Sequence, residues 1–165
     1  MPLRASLIAA ALLTALAWFN WQVIATERHI AEGTPVLFEL GTADPRSLIQ
    51  GDYMVLSYRL PDALVAADLP QRGLLAVTRD ADGVVVDARL YEANDLLAPG
   101  ELLVAFHRCS WVVCVGPDSF FFQEGEAEIY AAARYAELRV APNGEAILVG
   151  LRDENRAPLG RSRFP

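Results

Sequence analysis

Lysine is absent, and all 14 basic side chains are arginines. That absence removes Schiff-base lysines, Ser–Lys dyads and the P-loop lysine from consideration. Histidine is almost absent too, with His29 and His107 alone, which restricts imidazole catalysis and metal binding. Positive charge is outnumbered: 14 Arg face 21 Asp and Glu, for a net charge of −7 and a pI of about 4.8. Such a chain offers no basic face, so no nucleic acid is expected as a partner. Charged residues make up 21% against 53% hydrophobic, which excludes disordered and low-complexity classes. A length of 165 residues fits one domain and at most a small second element. The mean hydropathy of +0.24 is high for a soluble domain, and the excess lies at the N-terminus.

From Ala5 to Thr26 there is no charged residue, a run long enough for one helix to cross a hydrocarbon core. Trp18, Phe19 and Trp21 stand near its C-terminal end, where aromatic rings favour a membrane–water interface. Arg4 precedes the run, while Glu27 offsets Arg28 after it. The positive-inside bias therefore predicts a cytoplasmic N-terminus, with the rest of the chain outside the inner membrane. Ala15-Leu16-Ala17 has the small-x-small form of a signal-peptide cleavage site. Apolar character nevertheless continues through Trp18, Phe19, Trp21, Val23 and Ile24, which favours an uncleaved anchor in the bilayer. No Cys lies near this segment, so a lipoprotein modification is excluded.

The expected fold is mainly β, in the α+β sense. The expected order is a cytoplasmic N-terminus at 1–4, a transmembrane anchor at 5–26, a connector at 27–34, a compact β-rich domain at 35–152 and a loosely held polar tail at 153–165. A strand is expected at Val36–Leu40. Asp44-Pro45-Arg46 then reads as an N-cap with Pro at the first helical position, opening one turn over Ser47–Gln50 that Gly51 ends. From Asp52 to Leu60 the pattern alternates, with Met54, Leu56, Tyr58 and Leu60 on one face and Tyr53, Val55, Ser57 and Arg59 on the other. Further strands are expected at Leu74–Arg79 and Val84–Tyr91, joined by the turn Asp80–Gly83, and at Leu102–Phe106 and Trp111–Val115. Phe120-Phe121-Phe122 leads into the one short helix expected in the domain, Glu124–Arg134, with an apolar stripe of Ile129, Ala132, Ala133 and Ala136. A last hairpin, Glu137–Val140 and Ala146–Leu151, turns at Pro142-Asn143-Gly144.

Two segments together carry a resemblance. GDYMVLSY, Gly51–Tyr58, fits GDYxxLxY at every specified position, and FFFQEGEAEIYAAARYAELRV follows at Phe120–Val140, ahead of NGEAILVGLRDENRAPL. Their order and spacing resemble the GDYXXLXY family, bacterial membrane-anchored proteins to which no activity is assigned. The likeness implies a location and a shared fold rather than a chemistry. Family members tend to be encoded beside multi-spanning membrane proteins, which implies a partner of that kind.

The candidate binding residues are Asp52, Tyr53, Gln123, Glu124 and Arg46. Alternation sets Tyr53 opposite the Met54 face, and Asp52 beside it could line a polar groove. A structural role explains the same residues, because Gly51 closes a turn and Asp52 can accept backbone N–H bonds at a strand entry. Gln123, Glu124, Glu126 and Glu128 crowd a helix start, where acids favour the helix dipole. If the two blocks meet at a sheet edge, Asp52 and Glu124 are expected to face solvent or to pair with Arg46 or Arg134.

Cys109 and Cys114 leave two readings open. A disulfide suits an oxidising compartment, but their odd separation puts them on opposite faces of one continuous strand, so a bulge or turn at Ser110-Trp111 is required. Two free, buried thiols are the other reading. A zinc site from His107, Cys109 and Cys114 lacks a fourth ligand, and a carboxylate-only site at Glu124 and Glu128 has too few oxygens. No metal and no cofactor is expected, and no residue is assigned a catalytic role.

These features favour a membrane-anchored, extracytoplasmic binding or accessory module for a membrane-protein partner. The rival is a cell-envelope hydrolase, since DPRSLIQGDYMVLSY superficially resembles the β-fold of signal peptidases. Those enzymes need a Ser and a Lys, and this chain has no Lys; only His107 could then serve as a base.

Overall fold

The computed structural model describes residues 2–160 apart from 42–43, 49–50, 66–67, 94 and 110–111; the side chains at 2–3, 44–48, 51–52, 63 and 65 also lie outside the description.

Helix α1, Pro2–Glu32, holds 31 residues, about 46 Å at 1.5 Å per residue. Within it, Arg4–Glu32 is long and apolar enough to cross a membrane, and 0% of its most apolar window is buried against the rest of the chain. Leu7, Ile8, Leu12, Leu13 and Phe19 all stand exposed, as on a helix whose apolar surface is meant for lipid or another helix. The connector expected from residue 27 is therefore helical as far as Glu32. Glu27, Arg28 and Glu32 are good helix formers, and no glycine interrupts them before Gly33. Gly33 ends the helix by donating its N–H to His29 O at 2.8 Å. A Cβ at that position would meet the same carbonyl oxygen at 2.5 Å, so the close approach requires glycine.

Beyond α1 the chain forms antiparallel sheets around one core. β1 (Thr34–Glu39), β9 (Tyr135–Val140) and β10 (Ala146–Arg152) make a sheet in the order β1-β9-β10. β4 (Arg72–Arg79), β5 (Val85–Tyr91), β6 (Leu102–Cys109) and β7 (Val112–Cys114) make another, ordered β5-β4-β6-β7. The third sheet is β2 (Asp44–Leu48), β3 (Gly51–Val55) and β8 (Ser119–Phe122), with β3 central. Isolated bridges, Leu37 to Val84 and Leu40 to Tyr58, stitch the first sheet to segments of the other two. Along β9 the alternation is strict, Ala136, Leu138 and Val140 inward against Tyr135, Glu137 and Arg139. The face expected from Asp52 to Leu60 is the observed one: Met54, Leu56, Tyr58 and Leu60 are buried, whereas Val55, Ser57 and Arg59 are exposed. The Asp80–Gly83 turn also forms, with Asp80 Oδ1 accepting from the N–H groups of Asp82 and Val84 and Gly83 at φ 83°.

Other expectations are corrected as well. Asp44–Leu48 is not an N-cap and helical turn but strand β2, paired with β3 from Asp44↔Val55 to Leu48↔Gly51. Residues preceding proline favour extended backbone, and Pro45 is tolerated because β2 lies at the sheet edge; Ile49 and Gln50 fall outside the described residues. The helix expected over Glu124–Arg134 contracts to α3, Ala127–Tyr130. Gly125 at φ 86° breaks its start, and strand pairing claims Ala136 for the core at 0% exposure. Ile129, assigned to the apolar stripe, is instead exposed. A further short helix, α2 (Asp62–Val65), follows Pro61. Finally, the first part of the tail is held. Asp153 Oδ1 accepts from the N–H groups of Asn155 and Ala157, Leu159 N–H donates to Leu151 O, and Leu159 packs on the core. Residues 161–165 lie outside the description.

Candidate functional site

The two segments that carry the resemblance are neighbours in one sheet. β3 pairs with β8 in the register Asp52↔Phe122, Tyr53↔Phe121, Met54↔Phe120 and Val55↔Ser119. On its other side β3 pairs with β2, which sets Arg46 opposite Tyr53. Opposed residues of an antiparallel pair share a face, so Tyr53 and Phe121 stand side by side on one face of β3 and β8. The Tyr53 and Phe121 rings meet at 5.8 Å between centroids. Phe121 is 65% exposed and Val55 45%, while Phe122 is 7% exposed. The aromatic cluster is therefore divided: Phe120 and Phe122 pack on Tyr130 at centroid distances of 5.0 and 4.9 Å, and Phe121 alone of the three faces out.

Among the candidate binding residues, Tyr53 is half-buried, and Gln123 and Glu124 are exposed. Gln123 directly follows the Asp52↔Phe122 pair, so the backbone brings the blocks side by side. For Asp52 and Arg46 only the backbone register is described. Arg134, expected as a partner for Asp52 or Glu124, is instead ion-paired with Glu39, which also binds Arg59 at 3.0 Å. Glu126 belongs to the turn before α3, its carboxylate accepting the Gln123 N–H at 3.3 Å. The last motif residue, Tyr58, donates its hydroxyl to Pro117 O at 2.8 Å and meets Phe38 edge-on. Burial, with Asp118 nearby, pushes its phenol above the usual tyrosine range.

A second feature lies where α1 meets the domain. A cleft of about 780 Å³ is lined by Gln22, Thr26 and His29 from the helix and by Arg72, Phe106, His107, Val115, Glu145 and Ile147 from the strands and loops. Both histidines of the chain line it, which no spacing in the sequence reveals. His29 Nε2 lies 3.0 Å from Arg139 O and 3.1 Å from Glu145 O. Carbonyls only accept, so Nε2 carries the proton and donates, pinning the helix end to the β9–β10 hairpin.

Beside that cleft, Cys109 and Cys114 are joined in a disulfide with Cα atoms 5.9 Å apart. They do not lie on one continuous strand: β6 and β7 form a hairpin with Cys109↔Val112 and His107↔Cys114 in register, which brings an odd separation onto one face. Ser110 and Trp111, where the turn was expected, fall outside the described residues. His107 Nε2 lies 3.2 Å from Cys109 Sγ.

An ion network absent from the sequence reading holds the loop after β5. Arg89 binds Glu101 at 2.8 Å and Asp95 at 2.9 Å, and Glu101 also accepts the Ala98 N–H at 2.7 Å. The Arg89 guanidinium, then the Ala98 N–H, hold the Glu101 carboxyl down to about 2. The Glu92 N–H, with Arg89, lowers that of Asp95.

Over 105 residues the chain is 28% identical to the cytochrome c-type biogenesis protein CcmE of Nitrobacter winogradskyi. The match covers 59% of this chain and 64% of that protein, so the chain spans less than two thirds of the relative's length. No solved structure matches. The model of the GDYXXLXY protein family matches residues 15–151, most of the chain, with both segments of the GDY sheet inside it. The chain belongs to the GDYXXLXY protein family.

Proposed function

We infer that this protein is a membrane-anchored binding module whose β-rich domain lies outside the cytoplasm and engages a multi-spanning protein of the inner membrane. One observation carries the reading: Tyr53, Val55 and Phe121, on the outward face of β3 and β8, are aromatic or aliphatic where a solvated sheet face is usually polar. Val55 and Phe121 are 45% and 65% exposed beside Tyr53, while their sequence neighbours Met54 and Phe122 fill the core. Exposed aromatic and aliphatic side chains grouped on paired strands suit contact with another protein. The orientation follows from Arg4 before the apolar helix and the offset pair Glu27 and Arg28 after it.

The similarity to a cytochrome c-type biogenesis protein favours an assisting role over substrate turnover. A hydrolase is further disfavoured by the surroundings of His107, whose Nε2 is set against Cys109 Sγ at 3.2 Å. The test is a pull-down of the full chain from detergent-solubilised membranes. A multi-spanning protein should co-purify with the wild type and be lost with the Tyr53→Ser, Phe121→Ser double variant at unchanged melting temperature. Recovery of the protein alone, or a partner indifferent to the double variant, contradicts the reading.

A further inference from the structure

His107, Cys109 and Cys114 share one face of the β6–β7 hairpin: His107 opposes Cys114 in register, and Cys109 stands two residues along from His107. Their ligand atoms all lie within 4.8 Å of one another. A tetrahedral zinc centre, with Zn–S of about 2.3 Å and Zn–N of about 2.0 Å, needs ligand atoms roughly 3.5–3.8 Å apart. Once the disulfide is broken, the two sulfurs must part from bonding distance to about 3.8 Å to meet that requirement. Cys114 is fully buried, which shields the sulfur from bulk water, while His107 lines the cleft beside α1. Two thiolates and one imidazole leave a fourth position for water or a ligand, the arrangement of an open zinc site rather than a closed structural one.

We propose that these three residues form a redox-gated site for a thiophilic cation of the Zn²⁺ class, closed in the disulfide form and opened by reduction. A dithiol supplies two electrons and two protons: the Cys109–Cys114 bond breaks, two thiols form, and the dithiol becomes a cyclic disulfide. Zn²⁺ then binds as both thiols release their protons, and His107 ligates through Nε2 with its proton on Nδ1. Re-oxidation by a disulfide reverses the electron flow and expels the cation. This site is separate from the Tyr53–Phe121 row and does not rest on the partner proposed there.

The test uses the full chain in detergent, titrated with Zn²⁺ against a chromophoric chelator and with Co²⁺ as a spectroscopic probe, before and after reduction by a dithiol that is then removed. The reduced chain is expected to bind one cation at least about 100-fold more tightly than the oxidised chain, with thiolate-to-Co²⁺ charge-transfer absorption. His107→Gln should weaken binding about 10-fold or more and keep the charge-transfer bands, since both thiolates remain. Cys114→Ser should lose tight binding under both conditions. Circular dichroism tests whether the reduced chain stays folded. Equal affinity in the two redox states, indifference to His107→Gln, absence of charge transfer, or unfolding on reduction would each overturn the proposal.

Discussion

The Tyr58 hydroxyl donates to the carbonyl of Pro117 at 2.8 Å, tying the last residue of GDYMVLSY to the segment between β7 and β8. The Leu56 N–H adds a second tie, to Asp118 O at 2.8 Å. Two specified positions of the motif are thus fold-bearing, and the distinction predicts different phenotypes along its eight residues. Tyr58→Phe should cost about 1 kcal/mol, or roughly 2–4 °C in melting temperature for a domain of this size. A pH signature should accompany it. Because the folded phenol titrates above the ordinary value of about 10, its contribution is intact below pH 10 and declines as pH rises beyond it. Melting curves across that range should show a decline in the wild type that is smaller in Tyr58→Phe.

Leu56 is 2% exposed within the core cluster. Leu56→Ala should destabilise the domain by about 2–5 kcal/mol through lost burial and a residual cavity. Denaturant unfolding of the full chain in detergent measures it, and an unchanged midpoint would show that this face does not carry the core.

The Arg89–Glu101 pair predicts an acid limb. The Glu101 carboxyl titrates near 2 when folded, against an ordinary value of 4.5. A depressed carboxylate contributes stability above its unfolded value and loses it as pH falls towards the folded one. The loss should therefore develop between about pH 4.5 and 2, and Glu101→Gln should remove that part of the slope. Parallel wild-type and Glu101→Gln curves over this interval would contradict it.

The alternation from Met54 to Leu60 and the Asp80–Gly83 and Pro142–Gly144 turns were legible because each is a local pattern of period two or of turn chemistry. Local pattern misleads where pairing partners decide. Asp44-Pro45 carries a genuine helix-start signal, yet β3 recruits it as an edge strand. The helix expected over Glu124–Arg134 has an apolar stripe that runs on to Ala136, but β1 and β10 claim Ala136 for β9. The meeting of β3 and β8 could be guessed from two segments of one family, whereas the outward turn of Phe121 alone needed the register. The cleft holding both histidines has no local signature, because it arises where α1 meets strands distant in the sequence, down to Arg139, 110 residues from His29.

Topology is a separate prediction. A periplasm-specific reporter fused after Pro165 should be active and a cytoplasm-specific one silent, given Arg4 ahead of the apolar helix. The reverse pattern would overturn the orientation.

The binding role is tested most directly by a photo-crosslinking amino acid placed at Phe121 in the membrane of living cells, with Val86 on β5 as the control. Both positions are well exposed, at 65% and 60%, but only Phe121 lies on the GDY row. The proposed role predicts a discrete adduct with a multi-spanning membrane protein from position 121 and none from position 86. Absence of any adduct from position 121, or the same adducts from both positions, would contradict it.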